Sequence, residues 1–215
     1  MRDRRLGPPV ARGEVTTWRP GRDSLVDGDR ARIIDAIVRC AADRGLEALT
    51  LDRVIATAAV SQADFASRFG SLEQACLAAM TTLTARAYRA TVAAQDRAPT
   101  WTQGIRAGIA AGLESLGEDP SRVRFLCEEV PKLGRPAWVH HEQMARRYAD
   151  RLRILREHRG GAMPLPAVCY EVIIGAMYGV LRAASAEERV PTVEEMAACV
   201  ATMGVALSPP LALAV

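Results

Sequence analysis

The chain has 215 residues, of which 49% are hydrophobic, 25% charged and 5% aromatic, and its formal net charge is +3. That length and apolar content suffice for a substantial core, carried by one helical subunit with a small head and a larger body. The charge is too small to imply a nucleic-acid partner by itself, and no stretch alternates apolar and polar residues long enough for a sheet, so an all-α fold is expected.

Residues 1–28 read as an arm. Gly7-Pro8-Pro9, Gly13 and Pro20-Gly21 interrupt any periodicity, and the first 22 residues hold six arginines against Asp3 and Glu14. Such an arm suits a DNA backbone or minor groove, and equally a solvated tail. No signal-peptide core is present and no apolar run reaches about 18 residues, so a cytoplasmic protein without a membrane partner is expected.

The first helix, Arg30 to Arg44, turns Ile33, Ile34, Ile37, Val38 and Ala41 inward and closes at Gly45. Thr50 then caps a short helix whose apolar stripe is Leu51, Val54, Ile55 and Ala58, and the pattern breaks at Ala59-Val60. Ser61 followed three residues later by Asp64 is a capping box opening another short helix, with Phe65 and Phe69 on its buried face. Ser71 and Gln74 repeat the device for a long helix, Leu72 to Arg97, that carries Leu72, Cys76, Met80, Leu83 and Ala87 along one side. Two short helices joined by a tight turn are a helix-turn-helix, in which the second helix enters the major groove. The expected organisation is an arm (1–28), a DNA-binding head (29–75) and a body (76–215).

The head resembles the N-terminal domain of the tetracycline-repressor (TetR) family, whose pattern runs roughly I-A-x-x-A-G-V-S-x-G-T-x-Y-x-H-F-x-S-K-E. The matching residues are Ile55, Ala56, Ala58, Val60, Ser61, Phe69, Ser71 and Glu73. The resemblance covers about fifty residues, and implies a ligand-responsive repressor that binds double-stranded palindromic DNA as a homodimer. On that docking, Gln62, Asp64 and Ser67 face bases, Thr50, Ser61 and Arg68 lie near phosphates, and Ala63 belongs to the same DNA-binding surface. Departures are specific: Ala59 and Ala63 replace glycines, Asp64 replaces threonine, and Ala66 and Leu72 stand where the family has its phosphate-contacting Tyr and Lys. Residues 50–75 hold only Arg53 and Arg68 against Asp52, Asp64 and Glu73, which disfavours a phosphate backbone. A ligand-binding or interaction module with weak or lost DNA affinity is therefore the alternative reading.

The body is expected to contain helices from Trp101 to Leu116, Ser121 to Val130, Ala137 to His158, Pro166 to Ala184 and Thr192 to Leu207, separated by proline and glycine breaks, making nine in all. Large side chains able to shape a pocket for a small apolar effector are Trp101, Ile105, Phe125, Trp138, Met144, Tyr148, Tyr170, Met177 and Tyr178. Gly175 and Gly179, beside Ile173, Ala176 and Val180, permit close helix approach at a dimer seam; packing inside one subunit explains the same spacing. The five cysteines are widely spaced and fit neither a disulfide framework nor zinc binding. Glu128, Glu129, His140, His141 and Glu142 lack the repeats of a helix-bundle metal site, and no nucleophile-base signature or phosphate loop occurs. No metal, no cofactor and no catalytic residue is expected.

Overall fold

Apolar residues three and four apart produce helices throughout, and no strand occurs among the described residues, 28–159 and 165–207, of this computed structural model. The arginine arm lies outside the described residues. Nine α-helices follow in order: α1 (Gly28–Arg44), α2 (Leu51–Ala58), α3 (Gln62–Arg68), α4 (Leu72–Arg97), α5 (Trp101–Leu116), α6 (Ser121–Arg124), α7 (Arg135–His158), α8 (Ala167–Ala186) and α9 (Val193–Ala206).

The head is built by its caps. The Thr50 hydroxyl accepts from Arg53 N at 3.3 Å, Ser61 Oγ accepts from Asp64 N at 3.0 Å, and Ser71 Oγ accepts from Gln74 N at 3.1 Å. Each satisfies an amide that the first helical turn leaves without a partner. Beneath them Ile33, Ile37 and Val38 of α1 pack with Val54, Phe65 and Phe69, and this core also takes in Ala75 to Leu83 of α4 and Phe125, Val130 and Ala137 from further along the chain. The head's hydrophobic unit thus continues past residue 75, because α4 is one unbroken helix running from head to body.

In the body, α4 lies against α5 because α5 is stripped of side chains along that line. A Cβ on Gly108 would stand 2.7 Å from the Gln95 side chain, and one on Gly112 would stand 2.8 Å from Thr91 Oγ1. Gly104, Gly108 and Gly112 recur every fourth residue, a spacing as readable in sequence as Gly175 and Gly179, and Gly104 gives the same close approach to Leu155 of α7, at 3.0 Å.

The expected helix from Ser121 to Val130 is a departure. Regular α-helix ends at Arg124, residues Phe125–Glu129 widen into a π-turn, and Val130–Leu133 tighten into a 3-10 turn. Pro131 is the cause. It has no N–H for the Cys127 carbonyl and its ring crowds that oxygen, so the ladder widens and Val130 N bonds back to Phe125 O.

A second departure concerns α8. With Glu171 and Arg182 as its charged residues, it is 20 residues long with a mean hydropathy of 1.4, long and apolar enough to cross a membrane by those measures. Those two charges divide its sequence into shorter apolar runs.

The turn between α2 and α3 places Ala59 at φ 51°, ψ 50°, the left-handed region. A Cβ there costs roughly 1–2 kcal/mol, which glycine avoids. Ala59→Gly is expected to stabilise the folded head by about 1 kcal/mol, read as a higher midpoint in denaturant with an unchanged slope.

Candidate functional site

α3 presents Gln62, Ala63, Asp64, Ala66 and Ser67 outward, with Phe65 and Phe69 anchored inside. The Asp64 carboxylate stays on its own helix end, accepting from Ser61 Oγ at 2.6 Å and Ser61 N at 3.3 Å. Arg68 folds back as well. Its guanidinium donates to Asp29 Oδ2 at 2.7 Å and to the Asp64 carbonyl at 2.9 Å, so it braces α3 against the start of α1. Arg68, expected near phosphates, is here paired within the head, with its side chain 19% exposed. Arg53 is likewise paired with Asp43 at 2.6 Å, and Arg30 sits 5.6 Å over the Phe69 ring.

Below the head, α4, α5, α7, α8 and α9 enclose a cavity of about 310 Å3 with an overwhelmingly apolar wall. Ile105, Met144, Tyr148, Met177 and Tyr178 line it, together with smaller residues that sequence reasoning passed over, such as Ala87, Gly108, Gly112 and Ala145. Four expected wall residues do not. Trp101 begins α5 beyond the end of the cavity, under the Arg156 guanidinium at 5.5 Å. Phe125 is wholly buried in the head core, carried there by the π-turn. Trp138, in the first turn of α7, is 59% exposed, and Tyr170 is buried in the bundle core with Ile173.

The polar groups on the wall are few and placed. Thr84 Oγ1 lies 2.8 Å from His140 Nε2, and the His141 ring meets Tyr178 edge-on at 4.6 Å between centroids. The Tyr178 hydroxyl donates to the Cys127 carbonyl at 3.3 Å, the oxygen that Pro131 leaves without its helical partner. Burial pushes the Tyr178 phenol and the Cys127 thiol each up to about 12, so both are neutral. At the far end, Arg151 donates to Gln95 Oε1 and to Asp96 Oδ1, each at 2.7 Å.

Glu129 connects cavity and head. It ends the π-turn whose Leu126 and Cys127 line the cavity, and its buried carboxylate accepts from Leu46 N at 2.7 Å and Lys132 Nζ at 2.9 Å. No group of three or more His, Cys, Asp or Glu side chains gathers as metal ligands among the described residues.

On α8, a Cβ on Gly175 or Gly179 would meet nothing within 4 Å, Gly175 also borders the cavity, and Ala176 and Val180 are half-buried. Ile173 is 1% exposed, turned into the bundle core, so it has no surface to offer a second subunit. Val168 and Val172 stand outward instead, 61% and 41% exposed, on the stripe that continues through Gly175 and Gly179.

This architecture has solved counterparts. A TetR-family transcription regulator from Marinobacter aquaeolei VT8 superposes with a TM-score of 0.62 and 20% identity, over 84% of this chain and 96% of that one. The chain has the TetR-family fold. The transcriptional regulator FadR from Bacillus subtilis, solved with stearoyl-CoA, gives a TM-score of 0.69 at 12% identity, over 83% and 97% of the two chains. A TetR-family regulator from Syntrophomonas wolfei gives 0.65 at 12%, over 86% and 98%. No protein-family model matches the chain, and no curated protein matches it.

Within this TetR-like body the two imidazoles set a pH response. Burial holds both below 6.5, with His141 and Arg147 adding to the effect on His140. Both are therefore neutral at pH 7. As pH falls through 6.5 the unfolded chain takes up these protons first, so folding stability declines. The melting temperature is expected to drop between pH 7.5 and 5.5, and the double variant His140→Asn with His141→Phe to lose most of that drop. Glu129→Ala, which leaves Leu46 N–H without its acceptor, is expected to cost about 1–3 kcal/mol, and Glu129→Gln less.

Proposed function

We propose that the protein is a cytoplasmic, homodimeric DNA-binding transcription regulator, a repressor and not an enzyme, whose hold on a palindromic operator responds to a small apolar molecule in the cavity. One observation carries this reading: α4 borders both sites. Its N-terminal half packs under the helix-turn-helix, and Met80, Thr84, Ala87, Thr91 and Gln95 of the same helix form a wall of the cavity. A ligand and a duplex that favour different placements of α4 oppose each other's binding by the same free energy. The names of the structural neighbours support the regulator role, and the stearoyl-CoA held by the Bacillus FadR supports a ligand-taking body.

The assembly rests on the exposed α8 residues Val168, Val172 and Gly179, with Gly175 between them, and on α9, which packs against α8 and carries the 77% exposed Val205. A second copy packed across these two helices buries the stripe and sets two heads about 34 to 36 Å apart, one duplex turn. Light scattering at micromolar concentration is expected to give a dimer, and Gly175→Leu to weaken it. A persistent monomer would remove the basis for palindrome recognition.

The second reading, a ligand-binding protein with weak or lost DNA affinity, is favoured by the head itself. Arg53 and Arg68 are spent on internal ion pairs, and Ala66 and Leu72 supply no phosphate contact. A gel shift on the protein's own promoter region separates the two. For the regulator, deleting residues 1–22 is expected to weaken binding to all duplexes, and Ala66→Tyr with Leu72→Lys to strengthen it on specific and random duplexes alike, steepening the log-log salt slope by about one unit. No binding by parent or double variant at low salt, with a folded dimer present, would leave the second reading.

A further inference from the structure

The cavity runs along most of α4. From Met80 to Gln95 the wall on α4 extends fifteen residues, about 22 Å at 1.5 Å per residue, yet the whole space is only about 310 Å3. An extended chain matches the length of that wall. Between the ends the wall on α4 and α7 carries the small side chains of Ala87 and Ala145.

The ends differ in chemistry. Arg151 is the one Lys or Arg on the wall among the described residues, and its charge is already met by Asp96 and by the Gln95 oxygen, with Glu171 also on the wall. An anionic head group there would meet carboxylates without a free cation. At the other end the Thr84 hydroxyl lies 2.9 Å from the Met80 carbonyl and 3.2 Å from the Thr81 carbonyl, so its proton is engaged by backbone. Its oxygen therefore accepts from His140 Nε2–H, which leaves His140 Nδ1 as an acceptor. His141 makes no hydrogen bond through its ring nitrogens among the described residues, and brings one donor and one acceptor of its own. This set complements a hydroxyl or carbonyl. It does not balance a carboxylate or phosphate, whose burial without a cation is costly.

We propose that the cavity takes a single, uncharged, extended alkyl chain bearing a hydroxyl or carbonyl group, with that group held at the His140–His141 end. The inference rests on the reading of the cavity as the ligand site, and names the ligand's class. Titration calorimetry of the full-length protein at pH 7.5, without DNA, tests it with four probes: 1-decanol, decanoate, decanoyl-coenzyme A and 2-naphthol. Decanol is expected to bind at least tenfold tighter than each of the other three, with affinity rising from hexanol to decanol. His141→Phe keeps the ring against Tyr178 but removes both nitrogens, and is expected to lower decanol affinity about tenfold. Ala87→Phe fills the middle of the slot and is expected to abolish binding, with melting curves confirming that both variants fold. If that variant is unfolded, Ala145→Leu replaces it. Tighter binding of decanoate or the coenzyme A ester would overturn the uncharged head group, and tighter binding of naphthol the chain shape, while the cavity stands as a ligand site. Full retention of decanol affinity in folded His141→Phe would overturn the assigned end. If no probe binds, the ligand-site reading falls and this inference with it.

Discussion

The buried carboxylate of Glu129 is the constraint on which the relation between head and cavity depends. A carboxylate that is 3% exposed has to be met by donors, and it takes them from two places: the backbone of Leu46, just after α1, and the side chain of Lys132, three residues on in the chain. The only lysine in the protein is at this point. Gly45, at φ 81°, lets the chain turn sharply enough after α1 for Leu46 N to face the carboxylate.

That constraint is reached through an irregular segment. Pro131 forbids a continuous α-helix, and the widened turn that results distributes its side chains in two directions. Phe125 enters the head core and Cys127 enters the cavity wall, while Glu129 closes on Leu46. The carbonyl freed by the proline is taken up by Tyr178 from α8, which couples the same segment to the far wall. A deformation of the wall at Cys127 is thus only two residues from the contact that orients the head. π-turns recur at functional positions because they place side chains where a regular helix cannot.

The head shows a different economy of charge. Every cap hydroxyl and most of its guanidinium groups are used to hold short helices in place: Thr50 and Ser61 on helix ends, Arg53 on Asp43, Arg32 on the Ala58 carbonyl and Asp29, Arg68 on Asp29. An α3 of seven residues cannot hold itself together by backbone hydrogen bonds alone, so its framework comes from tertiary contacts. Groups committed in this way are drawn from the same set that would otherwise face phosphates. The six arginines of residues 1–22 are a further concentration of positive charge in the sequence.

Much of this was legible in the sequence. The capping motifs at Thr50, Ser61 and Ser71 act through neighbours two or three residues away, and local chemistry is what a sequence states directly, so the helix-turn-helix and the bounds of α4 and α5 were readable residue by residue. Helical periodicity likewise announced the inward face of α1. What the tertiary structure alone decided was direction and partnership at long range. Phe125 and Cys127 go to different cores because Pro131 changes the turn between them, Ile173 faces inward while Val172 faces out, and Trp101 and Trp138 fall beyond the cavity that their size suggested. Size and hydrophobicity say that a side chain will be buried somewhere. Only the packing of five helices around one slot, set by the absent side chains of Gly108 and Gly112, determines which residues border empty space and which fill it.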